Sequence, residues 1–173
     1  MPNYDFKLDL PIAKATEREV ADLLVKNYGV EILNYEDTYR YDILARWAVS
    51  KMFWEDGKPH YRDVKIEVKE DFVGETTGNV GLEFECRGKP SGIQTTEADY
   101  YIYKLHTRSH TIQFVLHDTG VIKQMIEDKL YFRIVNGGDE GSNSMNYLFR
   151  YDVFVSTGKV LRTEQDSKVE IAP

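Results

Sequence analysis

The stretch Lys65-Ile66-Glu67-Val68-Lys69 sets a carboxylate and an ammonium two residues apart. On an extended chain Glu67 and Lys69 project from one face, separated by about 7 Å along the strand. Held on a rigid strand, such a pair suits metal-assisted hydrolysis. The carboxylate holds a divalent cation, and the lysine positions or deprotonates water. A surface ion pair reads the same way in isolation, so the motif takes its meaning from its neighbours. Asp42, between Tyr41 and Ile43, offers a second carboxylate at the start of a predicted strand and faces the same cleft if the two strands pair. Hard cations such as Mg²⁺ take oxygen ligands and commonly use one or two carboxylates plus substrate phosphate, so Asp42 and Glu67 suffice from the protein side. The alternative for Asp42 is a turn or edge-strand charge.

A third acid lies on a predicted helix over residues 15–27. There Val20, Leu23 and Leu24 recur at helical spacing, and Gly29 supplies the stop. Steps of 100° put Glu17 near the middle of the apolar arc, where a carboxylate is costly unless paired or close to a cation. Glu19 falls on the opposite side and completes a capping box with Thr16, which predicts the helix start there. Glu17 also gains from the helix dipole if that end is exposed.

After this helix the pattern changes to period two. Residues 63–69 alternate Val64, Ile66 and Val68 against Lys65, Glu67 and Lys69, and residues 41–45 make a plausible partner strand, with a hairpin turn at Asp56-Gly57. The ambiguous segment 45–53 is read as strand. Further strands are predicted at 80–86, 100–105, 111–116 and 130–135, with a last pair at 148–155 and 159–162. A second helix over 121–130 is capped by Asp118 or Thr119. A helix, consecutive strands and a second helix predict one α/β or α+β domain spanning 1–173, built on a central mixed sheet flanked by helices.

Glu17 in TEREVADLL, Asp42 in RYDIL and Glu67/Lys69 in IEVK, in that order, resemble the signature of the PD-(D/E)XK nuclease superfamily. The variant most similar is that of the archaeal Holliday junction resolvases and related phage endonucleases. There a helix carrying E-R-E-L-V ends near a Gly, a strand presents the Asp, and a following strand reads I-E-V-K. The resemblance covers residues 13–70. Tyr41 stands where the superfamily name has Pro, and the separation from Asp42 to Glu67 requires an extended hairpin. The resemblance implies a restriction-endonuclease-like core and a metal-dependent DNA endonuclease. Asp42, Glu67 and the Val68 carbonyl would bind one or two Mg²⁺ or Mn²⁺ ions, Lys69 would orient water, and Glu17 would support the metal directly or through water. By the same analogy, two symmetric nicks in branched DNA imply a C2 homodimer. A catalytically silent nucleic-acid-binding or protein adaptor on this fold, and a sequence-specific restriction-like enzyme, stay open beside it.

In the loop RGKPSGI, Arg87, Lys89 and Ser91 are phosphate donors by type, though the loop reads equally as a well-built turn. Lys104, His106, Arg108 and His110 read as a solvated basic loop rather than a site. Tyr100, Tyr101 and Tyr103 read as core and sheet packing, not a base-stacking platform. Glu83 and Glu85 are read as solvated edge charges that could alternatively join the metal cluster.

With 42% hydrophobic and 13% aromatic residues, the 173-residue chain has the composition of a folded protein. Its single cysteine, Cys86, excludes an intrachain disulfide and a cysteine-rich zinc site, which suits an intracellular compartment. No apolar run reaches the roughly 18 residues of a spanning helix, and the N-terminus has no signal-like apolar region, so a membrane is not an expected partner. A net charge of -7 argues against broad phosphate binding. Clustered metal-binding acids would contribute to that sum and be offset by the ion they hold.

Overall fold

The computed structural model describes residues 6–36, 40–48, 60–72, 74–137 and 143–165. Helix α1 (Phe6–Tyr28) leads into an antiparallel meander of β1 (Glu31–Tyr35), β2 (Ile43–Ala48) and β3 (Tyr61–Asp71). The chain then leaves this sheet through a one-turn helix, α2 (Gly74–Thr77), a strand β4 (Asn79–Cys86), the short β5 (Lys89–Pro90) and a 3₁₀ turn at Gly92–Gln94. It returns as β6 (Tyr100–His106), which pairs parallel to β3, and continues antiparallel into β7 (Thr111–Asp118). Helix α3 (Thr119–Glu127), β8 (Arg133–Gly137), β9 (Ser144–Arg150), α4 (Tyr151–Ser156) and β10 (Lys159–Gln165) complete the order.

The result is an α+β protein with two sheets. A six-stranded mixed sheet has the order β1-β2-β3-β6-β7-β10, and a four-stranded antiparallel sheet has the order β5-β4-β9-β8. The single mixed sheet expected from the sequence is therefore corrected. Period-two patterning identifies strands but not their partners. Here Asp71 accepts from the backbone of Gly74 and Gly81, turning the chain out of the first sheet and seating β4 against β9.

Each face of the large sheet has its own apolar layer. On one, Val64, Ile66 and Val68 of β3 meet Val20, Leu23 and Leu24 of α1. On the other, Tyr101, Tyr103 and Leu105 of β6 meet Val80, Leu82 and Phe149 of the second sheet, with Ile122 of α3 and Phe154 of α4. The tyrosine stripe is core, as the alternation predicts.

Helix α1 begins ten residues before the predicted start at Thr16 and contains Pro11. The Thr16-x-x-Glu19 pattern is not a cap. The Thr16 hydroxyl donates across to Glu70 of β3, and Glu19 pairs with Lys104 and Arg162. Pro11, in the second turn, has no N–H for the bond to residue 7, a local cost of about 3 kcal/mol to the helix. The predicted strand 148–155 splits after Arg150: Val153 and Val155 have strand-like composition, but burial of Phe154 against Tyr103 and Phe149 selects helix α4. The second helix is capped as expected, with Asp118 accepting from the Gly120 N–H at 2.7 Å. Strand β1 has no counterpart among the predicted elements. The reading of 45–53 as strand holds through Ala48, and the Asp56-Gly57 turn lies outside the described residues. No described helix is long and apolar enough to cross a membrane.

Candidate active site

β2 and β3 pair with Ile43 opposite Ile66. Continuing that register by one residue sets Asp42 opposite Glu67, at the point where β2 begins. The Asp42 N–H donates to the Ile66 carbonyl at 3.0 Å, and its Oδ2 accepts from the Val68 N–H at 2.7 Å. The carboxylate thus takes the place of the backbone acceptor that β2 no longer supplies, satisfying a donor that would otherwise be orphaned. In a strand the N–H and C=O of one residue leave by the same edge, so the Val68 carbonyl also points toward the Asp42 side.

Glu67 is almost fully covered, and its Oε1 lies 2.6 Å from Lys69 Nζ. The predicted same-face pair is therefore in contact. It emerges beside Tyr101 and Tyr103, its cross-strand partners on β6. Glu17 is 5% exposed, as its helical angle predicts, and pairs with Lys14 at 3.1 Å.

These acids act on one another. Burial, the Glu67 carboxylate and Glu17 push the Asp42 carboxyl up to about 7, against the Val68 N–H and Lys69, which favour its charge. For Lys69, desolvation disfavours the charge but is outweighed by Glu67 and Asp42, so its ammonium titrates above the ordinary lysine range. Lys69 is consequently a cation here, able to orient water or phosphate as a donor. Among the described residues no three His, Cys, Asp or Glu side chains already stand in a metal-ligating arrangement. Glu17 reaches Asp42 by its field. The Asp42 and Glu67 carboxylates with the Val68 carbonyl form an all-oxygen donor set, and the mutual repulsion of the acids is what a hard divalent cation would relieve.

A strap composed of residues 91–99 holds this corner, and of its residues only Ser91 was a candidate from the sequence, as a phosphate donor. Thr96 Oγ1 and the Glu97 N–H both donate to the Arg40 carbonyl, at 3.1 and 3.0 Å. The Glu97 carboxylate pairs with Arg40 and with Lys65, and Asp99 Oδ2 accepts from the Lys65 N–H at 2.8 Å. The strap thereby fixes the approach to Asp42 against β3. The only cue in the sequence was the concentration of small and hydroxylated residues in SGIQTTEAD.

The remaining candidates separate. Arg87 and Lys89 are exposed at the turn between β4 and β5, where Arg87 and Gly88 both adopt positive φ. Ser91 turns inward and donates to Glu83 at 2.7 Å, so it is a buttress in this structure. Glu83 also accepts from Ser144 at 2.8 Å, which corrects its reading as a solvated edge charge. Lys104 and His106 are not part of a solvated loop. They lie on β6 and bind the nearly buried Glu70, at 3.2 and 2.8 Å. Arg108 donates to the Thr76 and Thr77 carbonyls.

Compared with protein-family models, curated proteins and solved structures, the chain matches none.

Proposed function

We propose that the protein is a metal-dependent DNA endonuclease that hydrolyses phosphodiester bonds, with the structure-selective cutting that its resemblance to Holliday junction resolvases implies. The observation that carries this reading is the Asp42–Glu67–Lys69 corner: one carboxylate just before β2 and one on β3, the first raised to about 7 by burial and by the second, with a charged lysine against the second. Carboxylates displaced in this way by burial and a second acid cluster at functional sites.

Asp42, Glu67 and the Val68 carbonyl would hold Mg²⁺ or Mn²⁺, which when bound supplies Lewis-acid stabilisation of the negative charge gained on the phosphate oxygens. Lys69 donates a hydrogen bond to water or to a phosphate oxygen and keeps its own proton. Glu17 sets the field at Asp42 from the helix side and makes cation binding more favourable. Exposed Arg87 and Lys89 would contact the DNA backbone away from the cut. A C2 pair of chains would present two such corners to a branched substrate.

The test is incubation of the protein and of Lys69→Ala with linear and four-way-branched DNA in Mg²⁺ or Mn²⁺. Cleavage by the parent, slowed at least about 100-fold in the variant, is expected for loss of a positioned proton-bearing group. If neither protein cuts, or both cut alike, the assignment fails. Binding without cleavage across both metals would instead favour a silent nucleic-acid adaptor.

A further inference from the structure

Beside Lys69 a cavity of about 480 Å³ opens between the large sheet and the second sheet. Its volume lies within the roughly 300–1,000 Å³ of small-molecule sites. We propose that this cavity receives an unstacked nucleobase of the DNA, so that the preferred substrate carries an unpaired nucleotide next to the cut. The proposal rests on the nuclease reading and specifies its substrate.

The lining decides the chemistry. Phe72 supplies aromatic surface, the buried Tyr101 and Tyr103 close the floor, and Asn79 and Asn146 supply amide side chains. The acids Asp71 and Glu83 also line it, so a phosphate group is repelled from the interior and held at the rim by Lys69, whereas the Glu70 carboxylate is taken up by Thr16, Lys104 and His106. Of the parts of a nucleotide, the neutral planar base with its amino donors fits what remains. Glu83 is prepared to accept such a donor. Ser91 and Ser144 each fix one of its oxygens, at 2.7 and 2.8 Å, which orients the carboxylate and leaves each oxygen a second lone pair.

Two glycines keep the space open. A Cβ at Gly92 would stand 2.2 Å from the Glu83 carbonyl, and the residue has φ +50, so only glycine lets the strap approach the wall that carries Glu83. At Gly81 a Cβ would meet only ordinary contacts, at 3.9 Å from Asn146 and 4.0 Å from Leu148, both lining residues. A larger side chain at 81 can therefore fill the cavity without a backbone clash.

The experiment uses the full chain with Ca²⁺ in place of Mg²⁺, so that binding is read separately from cleavage. The probe is a duplex with one unpaired 2-aminopurine nucleotide, compared with the same duplex carrying an abasic site at that position. The base-containing duplex is expected to bind about tenfold or more tightly than the abasic one, as taking a base out of water against Phe72, Leu82 and Ile93 implies, with a change in 2-aminopurine fluorescence. In Gly81→Leu the preference and the fluorescence change should both disappear. Equal binding of base and abasic duplexes by the parent would overturn the proposal, and that comparison stands even if the variant fails to fold. A fluorescence change with free 2-aminopurine riboside at the same concentration would reassign the cavity to a diffusible ligand, overturning it as well. Failure of the nuclease reading shows separately, as no cleavage of any DNA in Mg²⁺ or Mn²⁺.

Discussion

Replacing Asp42 by Asn should make the metal-free protein more stable at pH 8 while abolishing cleavage. In the folded chain the Asp42 carboxyl is raised from 3.8 to about 7, chiefly by burial and by Glu67. A raised folded-state pKa means that the native protein holds this proton more tightly than the unfolded chain does. The stability associated with it is fully present below about 3.8 and is lost as pH rises toward 7. A shift of about 3 units at 1.36 kcal/mol each sets an upper figure of about 4 kcal/mol. Asn keeps an oxygen for the Val68 N–H, though a weaker acceptor than a carboxylate, so we expect a gain of about 1–4 kcal/mol. For a chain of this length that is a rise of roughly 3–12 °C in Tm. Thermal or urea unfolding of parent and Asp42→Asn in chelator at pH 8 and pH 5 reads it directly. The difference at pH 5 should be less than half that at pH 8, and adding Mg²⁺ should stabilise the parent more than the variant. A variant no more stable than the parent at pH 8, or a difference independent of pH, would refute the reasoning.

Glu70→Gln should destabilise by about 3 kcal/mol, the size expected when one member of a buried charge cluster is removed. Burial opposes the charge on Glu70, but hydrogen bonds from His106 and Thr16 and the field of Lys104 outweigh it and hold its pKa below 4.5. Its contribution is therefore present above pH 4.5 and lost as pH falls, so parent and variant should converge in acid unfolding curves. Thr96→Val removes the donation to the Arg40 carbonyl and the acceptor for the Ala98 N–H. At about 0.5–1.5 kcal/mol each, it should cost about 1–3 kcal/mol in urea unfolding and lower kcat more than it raises KM. DNA affinity by anisotropy should be weak in chelator and rise with Ca²⁺, since a bound cation offsets the acids at Asp42 and Glu67. Equal affinity in the two conditions would count against that siting.

The residues that carry the proposed chemistry were legible because each left a local signature. Glu17 interrupts an apolar helical arc, and Glu67 and Lys69 share the parity of a strand whose other parity is Val64, Ile66 and Val68. What places them together is long-range and left little trace. Nothing local in SGIQTTEAD says that Thr96 will bond the Arg40 carbonyl, or that Ser91 will orient Glu83. Thr16 shows the opposite error. Its spacing to Glu19 satisfies a local rule, and a tertiary partner, Glu70, takes the hydroxyl instead. The second sheet escaped notice for a related reason, since β4 and β9 are about sixty residues apart and alternation alone does not identify a partner.

The Asp42 corner is fastened by bonds spanning 26 residues to Val68, 56 from Arg40 to Thr96 and 32 from Lys65 to Glu97. A nascent chain that has emerged only as far as β4 carries all four candidate catalytic side chains but lacks the strap and the strand β6 that pairs with β3. On the proposed nuclease reading, hydrolytic competence would arrive after the middle of the chain has been synthesised and folded back, rather than with the motif itself. A ribosome-bound or truncated fragment ending before Thr96 would be harmless to DNA despite its intact IEVK.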